Sequence, residues 1–185
     1  NVTAITISQE QFDFATKRVA DAGLADKVTV KFCDYRDLTG QFDRIASIEM
    51  IEAVGLKHLP TYFSVLHDRL KPGGLVGIQA ITIDESRFDA YSKSVDYIQK
   101  YIFPGGFLPA VSYFHQVAGQ AGLKVKREQF FGKSYATTLA RWRDRFNEAW
   151  AEIHTDQKFD ERFRRMWLYY LAYCEIGFAT GRTDV

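Results

Sequence analysis

The sequence predicts an α/β fold organised around a parallel sheet. Three observations carry this expectation: β-branched apolar runs alternate with amphipathic stretches through residues 2–83, each run ends in polar residues, and Lys71-Pro72-Gly73-Gly74 marks an abrupt passage from helix to strand. With 185 residues, 46% of them apolar, the chain has the size of one ordinary domain and can bury a substantial core. Its 24 basic and 23 acidic residues nearly cancel, so no global field points to nucleic acid as a partner. Cys33 and Cys174 lie far apart, which suits a reducing cytoplasm better than a disulfide framework and offers no zinc spacing. The longest strongly apolar run, Met166 to Cys174, is too short to span a bilayer.

Val2 to Ile7 reads as the first strand. Ser8, with Gln11 at the capping-box position, opens a helix that stops at Gly23. Lys27 to Cys33 alternates as a second strand, and Arg44 to Ile48 reads as a third. Leu59 to Leu70 carries apolar residues at helical spacing, broken by the Lys-Pro-Gly-Gly turn before a buried strand over Leu75 to Ile83. Beyond residue 84 the pattern predicts a helix around 88–101, a turn at Phe103-Pro104-Gly105-Gly106, a helix near 111–121 and a strand near 123–131. Two long helices follow, about 136–153 and 158–176, and Thr183-Asp184-Val185 marks the start of another strand. Because the sequence begins inside a strand and stops at the start of another, it is expected to be a piece of a larger unit. Only seven of the 28 aromatic residues precede residue 88, so the two halves are expected to do different jobs.

In open α/β sheets, ligands bind beyond the carboxyl ends of the strands. Four segments occupy such places: Thr6-Ile7-Ser8-Gln9-Glu10-Gln11, Asp34-Tyr35-Arg36-Asp37, Glu49-Met50-Ile51-Glu52-Ala53-Val54-Gly55 and Gln79-Ala80-Ile81-Thr82. Any one of them alone is accounted for by ordinary caps and turns. Their joint order, with Lys71-Pro72-Gly73-Gly74 leading into the next strand, resembles the class I S-adenosylmethionine-dependent methyltransferases, whose sheet is Rossmann-like.

A more specific resemblance is carried by Val2-Thr3-Ala4-Ile5-Thr6-Ile7-Ser8, Asp34-Tyr35-Arg36-Asp37-Leu38, Phe42-Asp43-Arg44-Ile45, Ser47 to Gly55, Lys100-Tyr101-Ile102-Phe103-Pro104-Gly105-Gly106, Tyr135 to Trp142 and Arg162 to Cys174. These segments are similar to the family of cyclopropane-fatty-acyl-phospholipid and mycolic acid cyclopropane synthases and cover nearly the whole chain. The resemblance implies an incomplete methyltransferase domain over residues 1–185, lacking the central first strand and the glycine-rich loop that receives the methionine half of the cofactor. Residues 1–83 would form the cofactor side, and 84–185 the acyl-substrate side with helical lid insertions.

The implied reaction methylates the cis double bond of a phospholipid acyl chain and closes a cyclopropane. A carbocation develops, so the site must exclude water, shield the cation with aromatic faces and supply a base. In the family that base is a bicarbonate ion held by a Glu, a His, a Tyr, an Ile backbone and a Cys. Position by position the Glu falls on Glu52, the Tyr on Tyr135 and the Ile on Ile81, with Gln79 standing where the family has His, while Cys174 matches the family's cysteine in the last long helix. Gln79 can donate a hydrogen bond to an anion yet carries no titratable proton near neutral pH. A carboxylate beside a bound anion requires a proton, so either a raised pKa at Glu52 or a proton shared with the bicarbonate is expected. Cys174 shares one helix face with Phe163, Trp167 and Tyr170, which makes it either a nucleophile or, more simply, a wall of the acyl pocket.

For S-adenosylmethionine the resemblance places Thr6, Ile7, Ser8, Gln9, Glu10 and Gln11 along the ribose side and Tyr35-Arg36 at the adenine, with Asp34 beside them. Ser8 and Gln11 are equally explained as a helix cap. The implied substrate is a membrane phospholipid, met by peripheral contact from the cytoplasmic side, and a homodimer is also expected. Arg141, Arg143, Arg145, Arg162, Arg164 and Arg165 could meet anionic headgroups, or simply form a solvated helix face with Asp144, Glu148, Asp160 and Glu161. Gln79 raises a relative that ends the same methylation as a methylene or 10-methyl product. A lipid-binding module without catalysis is the alternative of another class.

Overall fold

A computed structural model of the chain describes residues 1–155 and 159–185. Strand β1 (Val2–Thr6) leads through α1 (Gln9–Asp21) to β2 (Val28–Phe32), and the two strands pair in parallel with Thr6 opposite Phe32. Ser8 caps α1, its Oγ accepting from the Gln11 amide at 3.3 Å. The reciprocal half of the expected capping box is not made. Gln11 Oε1 instead accepts from the Thr6 hydroxyl at 2.7 Å, and the Ser8 amide donates to that same hydroxyl at 3.1 Å.

β3 (Phe42–Ile48) runs through two short 3₁₀ turns and α2 (Leu59–Arg69) to β4 (Leu70–Gln79). β3 and β4 pair in parallel with Ile48 opposite Gln79, so Glu49 and Ala80 leave the ladder side by side. β4 starts earlier than the sequence predicts. It absorbs Lys71-Pro72-Gly73-Gly74 as an irregularity, visible as a register shift between Phe42 and Arg44. Among the described residues no ladder joins β1–β2 to β3–β4.

The strand predicted over Leu75 to Ile83 is divided. After Gln79 the chain leaves β4, and only β5 (Thr82–Ile83) resumes pairing, antiparallel to β6 (Thr183–Asp184). The predicted helix around 88–101 is likewise divided, into α3 (Glu85–Tyr91) and α4 (Tyr97–Tyr101). The cause is a full capping box at Asp96: its carboxylate accepts from the Gln99 amide at 2.8 Å while the Gln99 side chain accepts from the Asp96 amide at 2.9 Å. α5 (Val111–Gln120) lies where expected.

Residues 123–131, expected as a strand, are not paired as one. This segment and β4 line one groove of about 1160 Å³, with no ladder between them among the described residues. α6 (Gly132–Ile153) and α7 (Glu161–Ala179) form the long pair of helices. The predicted start of the second at residue 158 lies outside the described residues; Asp160 caps α7 by accepting from the Phe163 amide at 2.7 Å.

Two clusters hold these elements. The first places Ile51, Leu59, Tyr62, Phe63 and Leu66 against Phe107, Val117 and Ala118, with Ile45, Val76 and Ile78 of the β3–β4 pair packed on it. Tyr62 and Phe63 are at most 1% exposed, and Phe63 meets Tyr62 and Phe114 edge-to-face at 5.2 and 5.0 Å. The Tyr62 hydroxyl donates to Ser47 Oγ at 2.7 Å, fixing α2 on β3. Phe63→Ala is expected to lower stability by about 3–5 kcal/mol in urea unfolding; a loss below about 1 kcal/mol would contradict this packing. The second cluster joins Leu139 of α6, Leu171 and Phe178 of α7 and Val185, with Ile81, Tyr135, Trp167, Tyr170 and Cys174 at its margin.

Candidate active site

The carboxyl ends of β3 and β4 deliver the groups that the sequence singled out. Immediately after β3, Glu49 takes φ +49°, the left-handed region that a non-glycine residue enters at a cost of about 1 kcal/mol or more. Backbone strain of this kind persists where surrounding contacts hold it. Here Glu49 Oε1 accepts from Gln79 Nε2 at 2.9 Å and from the Tyr135 hydroxyl. Gln79 Nε2 also donates to the Tyr135 oxygen at 2.7 Å, closing a triangle of carboxylate, amide and phenol. Burial, followed by the bond to Glu49 and the charges of Glu49 and Glu52, raises the Tyr135 pKa well above its ordinary value, so it stays a neutral donor.

Glu52 sits one helical turn further on, half-buried. Its Oε1 accepts from the Ile81 amide at 2.5 Å, and this explains the divided strand: the N–H that a ladder would use is turned onto the carboxyl. Its Oε2 is buried with no partner. Burial raises the Glu52 pKa; the Ile81 amide opposes this and nearby Glu49 adds to it.

The Phe103-Pro104-Gly105-Gly106 turn backs this carboxyl. The Phe107 amide donates to the Glu52 carbonyl at 2.8 Å, and Gln99 Nε2 holds the Gly106 carbonyl at 2.9 Å. A Cβ at position 106 would stand 3.0 Å from the Phe103 carbonyl and 3.6 Å from that of Glu52, so only glycine allows the close approach.

Opposite lies an aromatic wall. Tyr135 packs on Phe178 at 5.1 Å and Phe131 at 6.0 Å. On α7, Phe163, Trp167 and Tyr170 follow one another at 5.8 and 5.0 Å, the shared face that the spacing predicts, and Phe103 meets Tyr170 edge-on at 6.1 Å. Burial pushes the Tyr170 hydroxyl up to about 12, with Cys174 and Glu49 adding to it. Cys174 lies behind this ring, and burial, with the charge of Asp96, pushes its thiol up to about 12. A thiol raised in this way is disfavoured as a nucleophile.

Beyond β1 and β2 the remaining residues assemble. Thr6, Ser8, Glu10 and Gln11 are linked by hydrogen bonds, Ser8 Oγ donating to Glu10 Oε2 at 2.9 Å, while Gln9 turns to Asp13 and Ile7 is 69% exposed. Asp34 receives Arg36 through both Nε and Nη2, at 2.9 and 2.7 Å, which lowers its pKa to about 2 and raises that of Arg36. The Tyr35 ring packs edge-on against Tyr62 at 5.8 Å, tying this end to the core beneath Glu52.

Of the six arginines, two serve inside the α6–α7 pair. Arg143 bridges to Glu175, and Arg164 lies over Trp150 at 5.4 Å and 3.6 Å from Glu161. Arg141, Arg145, Arg162 and Arg165 are exposed. Glu49, first of the segment Glu49 to Gly55, is a site residue that the sequence did not single out. Its signal was the acidic side chain at the first position past β3, three residues before Glu52.

The model of the family described as mycolic acid cyclopropane synthetase matches residues 1–185. The tuberculostearic acid methyltransferase of Mycobacterium tuberculosis is 44% identical over 100% of this chain and 43% of its own length. The cyclopropane-fatty-acyl-phospholipid synthase of Escherichia coli is 42% identical over 96% of this chain and 44% of its own. The chain thus spans less than half the length of these curated relatives. Among solved structures, a mycolic acid cyclopropane synthase complexed with SAH and CTAB superposes with a TM-score of 0.90 at 25% identity, covering 100% of this chain and 67% of that one. A sarcosine dimethylglycine methyltransferase structure from Galdieria sulphuraria, 17% identical with a TM-score of 0.79, shares the fold. The strand order at β1–β2 and β3–β4, the acid-amide-phenol cluster at their ends and a family match over every residue lead to one conclusion: the chain belongs to the mycolic acid cyclopropane synthetase family, on a class I methyltransferase fold.

Proposed function

We propose that the full-length protein carrying this chain transfers a methyl group from S-adenosylmethionine to the cis double bond of a phospholipid-bound unsaturated acyl chain and closes a cyclopropane ring. The observation that carries this reading is the convergence of Glu49, Glu52, Gln79 and Tyr135 against the wall of Phe103, Trp167, Tyr170 and Phe178. Carboxylates beside aromatic faces are what an alkene methylation needs, because a carbocation forms in a site that must stay dry.

S-adenosylmethionine, when bound, supplies an electrophilic methyl group on a sulfonium. Thr6, Ile7, Ser8, Gln9, Glu10 and Gln11 would hold its ribose side, and Asp34, Tyr35 and Arg36 its adenine. The parallel register of β1 and β2, with Thr6 opposite Phe32, supports this by bringing both segments to one edge. Residues 1–83 then form the cofactor side, and 84–185 the acyl side with α6 and α7 as lid. Glu52 stabilises developing positive charge, and the aromatic rings shield it.

The resemblance also implies bicarbonate as base. Its implied donors are paired within the protein, Ile81 N–H with Glu52 and both Gln79 Nε2 and the Tyr135 hydroxyl with Glu49, while Glu52 Oε2 is buried with no partner among the described residues and would meet the anion as a protonated carboxyl.

No helix among the described residues is long and apolar enough to cross a membrane. The substrate calls for peripheral contact from the cytoplasmic face of the membrane. The exposed Arg141, Arg145, Arg162 and Arg165 support such contact, each worth about 1 kcal/mol at an anionic surface.

A second outcome of the same methylation, a methylene or 10-methyl branched chain, is favoured by Gln79 and by the 44% identity to the tuberculostearic acid methyltransferase. Fragmentation mass spectrometry of lipids from cells expressing the full-length protein separates the products, since cyclopropane and methylene isomers share a mass but break differently. Unchanged lipids would contradict both. In the same assay Cys174→Ala is expected to retain turnover within about threefold, because a thiol held neutral contributes packing and little chemistry; loss by about 100-fold would restore it as a catalytic group.

A further inference from the structure

Building on the proposed methylation, we propose that Gln99 is the positioning residue of Glu52: it fixes the peptide plane between Gly106 and Phe107, and that plane fixes Glu52. Both ends of this one peptide group are engaged. Its N–H, from Phe107, donates to the Glu52 carbonyl at 2.8 Å, and its oxygen, from Gly106, accepts from Gln99 Nε2 at 2.9 Å. A peptide group is planar, so holding the oxygen also aims the N–H on the opposite side. Position 106 makes that hold necessary. Its crowding against Phe103 and Glu52 admits only glycine, and glycine leaves the following peptide freer to turn than other residues do. The Gly106 amide is bonded to the Phe103 carbonyl at 2.9 Å, but this fixes the peptide before Gly106 and not the one after it. Turned over, the plane would set the Gly106 oxygen against the Glu52 carbonyl, two acceptors with no proton between them.

Gln99 is itself locked. Its Oε1 accepts from the Asp96 amide at 2.9 Å and its own amide donates to Asp96 Oδ1 at 2.8 Å, so the side chain turns only by breaking the cap of α4. α4 in turn is tied to α7, which carries Trp167 and Tyr170 of the aromatic wall. The Tyr97 hydroxyl donates to the Met166 carbonyl at 2.9 Å, and the Tyr173 hydroxyl to Asp96 Oδ2 at 3.3 Å. At the other end, the Glu52 carboxyl is anchored by the Ile81 amide, and its Oε2 has no partner among the described residues. With that single side-chain anchor, the carboxyl keeps its direction only if its main chain is held as well. Gln99 thus places the acyl wall and the carboxyl in one frame, and it acts on the reaction only through Glu52.

The test uses the full-length protein, S-adenosylmethionine labelled at its methyl group and vesicles of cis-monounsaturated phosphatidylglycerol. Gln99→Glu keeps an oxygen for the Asp96 amide, as a capping box allows, and puts an oxygen in place of the donor to Gly106. Gln99→Met removes donor and acceptor without adding charge. Both are expected to lose about 10- to 100-fold in kcat, with KM for the phospholipid and S-adenosylhomocysteine affinity within about twofold. In a Glu52→Gln background the same substitutions should cost less than about threefold more, because a residue that acts through Glu52 has nothing left to position. A Gln99→Glu enzyme that turns over like wild type overturns the assignment, and so do losses that multiply with that of Glu52→Gln. Loss of S-adenosylhomocysteine binding in both variants overturns it too, by making Gln99 a residue of folding alone. Wild-type methyl incorporation into the vesicle lipid tests the underlying reading separately: its absence overturns the proposed function, and the role of Gln99 with it.

Discussion

Replacing Glu52 by Gln is expected to lower turnover of the full-length protein about 100- to 1,000-fold while S-adenosylhomocysteine affinity stays within about twofold. Glu52 is the half-buried carboxyl of the cluster, and desolvation raises its pKa by disfavouring the charged form. A cation developing nearby favours the charged form, so Glu52 in its carboxylate form stabilises that cation. Gln keeps the shape and can still accept from the Ile81 amide, but never becomes negative. The same substitution should stabilise the resting protein. Because the folded state holds this proton to a higher pH than the unfolded chain, whose value is near 4.5, wild-type stability falls as pH climbs above that value through the raised one. Thermal midpoints measured across this range should decline for wild type and show that decline lost in Glu52→Gln. Equal turnover, or identical pH profiles, would remove Glu52 from the mechanism.

Tyr135→Phe is expected to cost about 10- to 100-fold in kcat with little change in KM. Its hydroxyl is the hinge of the triangle, donating to Glu49 and accepting from Gln79 at 2.7 Å. Phe retains the ring contacts with Phe131 and Phe178, so stability should hold while Glu49 loses a donor that fixes its direction. Steady-state kinetics beside a denaturation curve checks this, and an equal loss in both would make Tyr135 a packing residue only.

Much of this site was legible before any coordinates, because resemblance aligned Glu52, Gln79, Ile81 and Tyr135 across a separation that no local pattern bridges, and the fold brings them together. Glu49 was not, since a positive φ is written in sequence by glycine or asparagine and gives no warning when glutamate adopts it. The break after Gln79 was hidden for a related reason: Leu75 to Ile83 has the composition of one strand, and only the destination of the Ile81 amide ends it. Asp96 and Gln99 did carry their capping box in the sequence, masked by helical periodicity on either side. Residues 123–131 alternate like a strand, but pairing requires a neighbour within hydrogen-bond reach, which alternation cannot specify.

The central claim is methyl transfer to an acyl double bond followed by loss of one proton from that methyl. The most direct measurement incubates the full-length protein with S-adenosylmethionine deuterated at the methyl group and a cis-monounsaturated phospholipid, then weighs the acyl chain. The expected result is one added carbon that keeps two of its three deuterium atoms. Label confined to the headgroup, or no label in the lipid at all, would contradict the account.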